Sequence, residues 1–209
     1  FASGARGAPG SLWRDGEKRE QIESRLQSGS VELLGMTSFG RFRSSYEDYQ
    51  QWIDLALKHN PRASFFIGHS WTAGGPRIDT ERFDQRIRET GEQLYQVVTR
   101  LRQEYPGTAI YFINYGVTAS GMKARFEAGE LEDIESLVGR DREALFVDGL
   151  MGHGGPMLTE VSALSWLSIL YGVDVEDLDS GPYSASDVQE IVAEVVAYNR
   201  SFDGDYPER

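Results

Sequence analysis

Residues 145–155 read Leu-Phe-Val-Asp-Gly-Leu-Met-Gly-His-Gly-Gly. An aspartate ends an apolar run, and His153 follows it among glycines. Imidazole is the side chain whose ordinary pKa lies near neutrality, so it can take a proton from a hydroxyl and return it. That work needs an orienting acceptor on the other ring nitrogen, and Asp148 is close enough in sequence to serve. Flanking glycines let substrate and backbone approach closely. The competing reading is a loop histidine near a helix N-terminus, with the glycines there only for turning.

Two further stretches carry chemical groups. Gly68-His69-Ser70-Trp71 places a serine just after an apolar run. A sharp strand-to-helix turn can expose such a hydroxyl as a nucleophile. The sequence is not Gly-x-Ser-x-Gly, so Ser70 also reads as a turn residue in a site-lining loop with Trp71 as a wall. Residues 4–13, Gly-Ala-Arg-Gly-Ala-Pro-Gly-Ser-Leu-Trp, are glycine-rich and could aim amides at an oxyanion. No Gly-Lys-Ser/Thr follows, so this is not a phosphate loop of the P-loop type, and a flexible terminus is the rival reading. Tyr46, Tyr49 and Trp52 at helical spacing read as core. Arg82, Arg86 and Glu89 read as a solvated, ion-paired face. Glu130, Glu132, Asp133 and Glu135 read as the charged start of a helix. The three histidines are scattered and form no zinc-site pattern.

The totals bound what can hold these groups. A chain of 209 residues fits one domain and can bury a full core. With 40% hydrophobic and 26% charged residues it is an ordinary globular composition. There are no cysteines, which excludes disulfides and thiolate metal sites. The formal net charge of -12 argues against nucleic acid as a partner. No apolar run approaches the ~18 residues that a membrane-spanning helix needs. The start shows no signal peptide and no initiator methionine, and reads as a mature or truncated form.

Hydrophobic periodicity then places the candidates on elements. Helices are expected at 16–28, 46–59, 79–105, 118–128, 131–138, 157–171 and 186–200. Strands are expected at 31–36, 63–68 and 108–114, with a stub at 145–147. Asn60-Pro61 breaks the second helix and Gly172 closes the sixth; Ser184 or Ser186 caps the last. Residues 173–183 read as an acidic, solvated connector, and the tail from 202 onward as frayed. Strands apolar on both faces and separated by helices indicate a parallel sheet between helix layers. The expected fold is therefore a three-layer α/β/α, doubly wound parallel sheet of flavodoxin-like type in a single domain. Ligands of such sheets bind beyond the carboxyl ends of the strands. That rule points to residues 37–40, 69–72, 115–116 and 148–155.

In order, these pieces resemble the SGNH, or GDSL-like, hydrolase superfamily, and a bacterial branch in particular. The matching stretches are residues 7–11, 60–68, 105–113, 145–148, 152–155 and 170–174. They include Asn60-Pro61-Arg62-Ala63, Tyr105-Pro106-Gly107-Thr108, Asp148, Gly152-His153 and Tyr171-Gly172. The resemblance implies a five-stranded parallel sheet and a serine nucleophile after the first strand. It also implies an oxyanion hole from a glycine block and a polar residue, and a late Asp-x-x-His that supplies acid and base. By resemblance, His153 is the base and Asp148 the acid, here with four intervening residues rather than two. Gly7 or Gly10 falls near the glycine block, and Thr37-Ser38 falls where the family often has Gly-x-Asn-Asp. The family's first strand and its nucleophile block have no counterpart. Residues 1–12 then read as a possible remnant of the second strand and its loop. The nucleophile either precedes Phe1 or is Ser70. The first is preferred, because Asn-Pro-x-Ala before a strand and a tryptophan soon after it match the family's fourth strand.

The resemblance thus implies an esterase acting on small-molecule esters or acylated carbohydrates. Gly7, Gly10 and Ser38 would receive the oxyanion, and Phe39, Trp71 and Tyr115 would wall the pocket. No cofactor and no metal are expected, and the family implies a periplasmic or secreted location, with a cytoplasmic one as the alternative. The rival function is a non-catalytic SGNH-like binding or assembly subunit. Carbohydrate binding, with Trp13, Trp71 and Tyr115 stacking on sugar rings, is a third.

Overall fold

Ser45 and Asp48 show how local chemistry sets an element. The Asp48 amide donates to Ser45 Oγ at 3.3 Å, and the Ser45 amide donates to Asp48 Oδ2 at 2.8 Å. This reciprocal capping box starts a helix at Tyr46, and Asn60-Pro61 ends it at His59. The computed structural model describes residues 7–38, 44–71 and 74–202. In chain order the helices are α1 Pro9–Arg14, α2 Gly16–Leu26, α3 Tyr46–His59, α4 Thr80–Glu104, α5 Gly116–Ala128, α6 Pro156–Tyr171 and α7 Ala185–Arg200. The strands are β1 Leu33–Ser38, β2 Ser64–His69, β3 Ile110–Asn114, β4 Ser136–Val138 and β5 Ala144–Phe146. Phe39, Gly40 and Thr72, singled out in the sequence, lie outside the described residues, as do residues 1–6 and the tail from 203.

The class is mixed α/β. The described strands form a three-stranded sheet in the order β1-β2-β3 and a two-stranded sheet of β4 and β5. β1 and β2 are parallel, in register from Leu33↔Ser64 to Ser38↔His69. β4 and β5 are also parallel, with Ser136↔Ala144 and Val138↔Phe146 as partners. Parallel neighbours require a crossover, which α3 supplies between β1 and β2. Among the described residues, no helix is long and apolar enough to cross a membrane.

The chain divides into two compact units, one of residues 1–69, 92–112 and 206–209, the other of 70–91 and 113–205. In the first, Tyr46, Tyr49 and Trp52, read as core, are buried, and with Ile53 and Ala56 they join Phe65, Ile67, Val98, Leu101 and Phe112 in the core, while Leu55 and Leu57, expected on the same buried face, are only half-buried. Trp52 stacks edge-on against Trp13 at 4.8 Å and donates its indole N–H to the Pro9 carbonyl at 3.0 Å. Pro9 begins α1, where proline is tolerated because its missing N–H has no helical partner. The stretch read as a strand remnant or oxyanion loop is thus helical from Pro9 onward. Gly10 is there for contact: a Cβ on it would lie 2.3 Å from Asp48 Oδ2, and its amide donates to Ser44 Oγ at 3.0 Å.

In the second unit, α6 is predominantly apolar, with Thr159 and Glu160 exposed, and packs against α5, α7 and β5. Met157, Leu158 and Val161 are fully buried there, with Phe146 of β5. Asn114 and Asn199, both 0% exposed, clasp the end of β3 to α7. The Asn114 amide donates to Asn199 Oδ1 at 2.6 Å, and Asn199 Nδ2 donates to the Asn114 carbonyl at 3.4 Å and to the Val195 carbonyl at 2.8 Å. Lys123 is buried, with its ammonium on Glu127 and Thr80. The helix expected at 131–138 is not there. Leu131 and Ile134 are buried in a turn, and Ser136–Val138 pairs with β5 instead, so a tertiary partner overrides the helix-like spacing of the two apolar residues. The acidic connector at 173–183 is more than a solvated loop: it holds a short helical turn at Val175–Asp177 and buries Leu178 and Tyr183.

Candidate active site

The site begins with how the chain leaves β5. The Val147 amide donates to the His153 carbonyl at 2.8 Å, and the Gly155 amide donates to the Leu145 carbonyl at 2.8 Å. Phe146 and Gly154 form an antiparallel bridge. Residues 147–153 are therefore a closed excursion that returns beside its own strand before α6 starts at Pro156. Closure brings Asp148 against His153 despite the four residues between them. Gly152 takes φ of +70°, a left-handed turn that a side chain would strain.

Within the excursion, Asp148 collects donors. Its Oδ1 accepts the amides of Leu150 at 3.0 Å, Met151 at 2.5 Å and Gly152 at 3.2 Å. Its Oδ2 accepts the His153 amide at 3.3 Å and lies 2.5 Å from His153 Nδ1. The Met151 amide above all, then the His153 ring and the amides of Gly152 and His153, hold the Asp148 carboxyl well below the usual carboxylate range; desolvation opposes them. An ionised carboxylate only accepts, so Nδ1 carries the proton toward Asp148. In the neutral ring Nε2 is then the free acceptor, and the His153 side chain is 71% exposed. The result is an oriented imidazole on a largely exposed side chain, with Nε2 left as the acceptor.

The end of β2 reaches this loop, and the end of β3 packs behind it. Trp71, two residues beyond β2, donates its indole N–H to the Gly152 carbonyl at 2.7 Å. Its ring meets Tyr115, just after β3, edge-on at 5.9 Å. Tyr115 meets Trp166 of α6 in the same manner at 4.9 Å. Burial pushes the Tyr115 phenol up, and the Ser70 side chain beside it works against that. α5 fits tightly here, since a Cβ on Gly116 would lie 2.9 Å from the backbone of Ser70 and Trp71.

Of the residues singled out in the sequence, Ser70, Trp71, Tyr115, Asp148 and His153 belong to the second unit, and Gly7, Gly10 and Ser38 to the first. Asp148 and His153 are in contact. Among the described residues the ring of His153 is bonded to Asp148 and to no hydroxyl. Phe39 is outside the described residues. Sequence reasoning missed Trp166, which packs behind Tyr115, and residues 74–77, which pack on the loop. A Cβ on Gly152 would lie 3.1 Å from Pro76, and one on Gly149 would lie 3.3 Å from Arg77 Nε. The loop also carries exposed Val147, Leu150 and Met151. Among the described residues, no group of three or more histidines and acids is arranged to hold a metal ion. No protein-family model, no curated protein and no solved structure matches the chain.

Proposed function

We propose that this chain is a serine-dependent ester hydrolase of the SGNH, GDSL-like kind, working by nucleophilic acyl transfer on a three-layer, doubly wound α/β/α fold. The observation that carries the reading is the 2.5 Å contact between Asp148 Oδ2 and His153 Nδ1, on a His153 side chain that is 71% exposed. In this mechanism His153 Nε2 takes the proton of a serine hydroxyl as its oxygen attacks the ester carbonyl. Asp148 keeps the ring in the required tautomer and steadies its positive form. His153 then gives that proton to the departing alcohol, and a water molecule, deprotonated by the same ring, releases the acid. Each step moves protons and an acyl group only, so no cofactor is called for.

The parallel pairing of β1 with β2 and the crossover helix between them support the fold. A fluorophosphonate probe followed by peptide mass mapping tests the mechanism. Labelling of one serine, lost in His153→Ala, supports it and names the nucleophile. An unlabelled protein that turns over no p-nitrophenyl acetate sinks it. The second reading, a non-catalytic binding subunit, is favoured by the lack of a hydroxyl on His153 among the described residues, and predicts no label at all.

A further inference from the structure

The loop that carries the base also carries an apolar surface. Leu150 is 66% exposed, Met151 42% and Val147 40%, and all three sit between β5 and His153. Three large aliphatic side chains thus stand exposed on the short segment that also carries the base.

Nor is the segment loose. Asp148 Oδ1 holds the amides of Leu150 and Met151, Trp71 holds the Gly152 carbonyl, and the Val147 amide closes the loop on His153. The side chains are therefore presented from a pinned backbone, at little entropic cost to whatever binds.

The surface is aliphatic, which selects among ligands. Sugar rings bind by stacking on aromatic faces. The ring of Trp71, which is tied to Gly152, is packed against Tyr115. An unbranched methylene chain needs only apolar contact, and methionine and leucine adapt to it.

We infer that Val147, Leu150 and Met151 form the binding surface for the acyl chain of the ester, so that the substrate class is medium-chain acyl esters rather than acetylated carbohydrates. This rests on the hydrolase reading for the identity of the bond cleaved. The surface itself can be tested without turnover.

In the first arm, 2-decanone, a ketone that cannot be hydrolysed, is titrated against the protein while the methionine methyl signals are followed by NMR. The Met151 methyl moves in a saturable way, and 2-butanone at the same concentration leaves it still. In the second arm, kcat/KM is compared for p-nitrophenyl octanoate and acetate. Each methylene placed on apolar surface favours binding, so the octanoate-to-acetate ratio exceeds one and falls about tenfold in Leu150→Ser/Met151→Ser. The ratio is unchanged in Leu167→Ser, which removes an exposed leucine from α6.

A Met151 methyl that ignores 2-decanone overturns the inference whether or not esters are cleaved. A rate that rises only above the solubility limit of the octanoate overturns it too, in favour of a lipid surface. A Met151 methyl that responds in a protein that cleaves neither ester keeps the chain-binding surface and removes the hydrolase.

Discussion

Two glycine-rich stretches of this chain look alike in sequence and end in opposite uses. Around Gly7 to Gly10 the glycine serves packing: Gly10 lies against the Asp48 carboxylate, and its amide goes to Ser44. From Gly149 to Gly155 the backbone serves a charge: three successive amides converge on Asp148 Oδ1, and the histidine they help to place faces out. Glycine content therefore says little about chemistry. What decides is the destination of the amides, either consumed in joining two helices or spent on orienting a titratable group.

That contrast can be broken most severely at His153. His153→Ala should lower p-nitrophenyl ester turnover about 10³–10⁴-fold, the scale of losing a general base and its partner's help. The melting temperature should hardly change, because the ring is largely exposed. Undiminished turnover would remove the imidazole from the mechanism. Asp148→Asn comes next, at about 10²–10³-fold in kcat, since the amide can present an N–H to Nδ1 and favour the wrong tautomer. Hydrogen exchange at Leu150 and Met151 should also quicken, and an unchanged exchange rate would mean that the carboxylate does not pin the loop.

Gly10→Ala should act on the other stretch alone. The added methyl overlaps Asp48 Oδ2, so the protein should lose about 1–3 kcal/mol in denaturant unfolding. Ester turnover per folded molecule should persist; its loss in a folded variant would return the Gly10 amide to the oxyanion. The smallest effect is one of pH. The Asp148 carboxyl is held below its ordinary value of 3.8. The loop contacts it makes are complete above that value and fade only as pH falls through the lowered folded-state value. The Asp148 carboxyl carbon should thus titrate by NMR below the free amino acid. A midpoint at or above the free value would contradict the five donors placed on it.

Much of the fold was legible where one local signal sufficed. α3 begins and ends where Ser45, Asp48 and Asn60-Pro61 require, and α6 stops at Gly172, which takes a left-handed φ of +66°. The last helix starts after Ser184, although that side chain bonds to Ser186 rather than capping the helix. The elements misread are those decided by a distant partner. Residues 136–138 become a strand because β5 is there to pair with them, and residues 9–14 become a helix against Trp52. The site divides in the same way. The Asp148–His153 contact was visible as composition and proximity, but the hairpin-like closure that makes the four-residue spacing work is a matter of backbone bonds. Nothing in the sequence said that Ser70 would meet Tyr115, or that Leu150 and Met151 would stay outside.

The clasp between Asn114 and Asn199 has a consequence for how far the chain can be shortened. The last residues of α7 are not trim: a cut that removed Asn199 would strand a backbone N–H in a dry interior, where an unmet donor costs about 1–3 kcal/mol. The end of β3, and the Tyr115 that follows it, would lose their tether from behind, far along the sequence from the residue that supplied it.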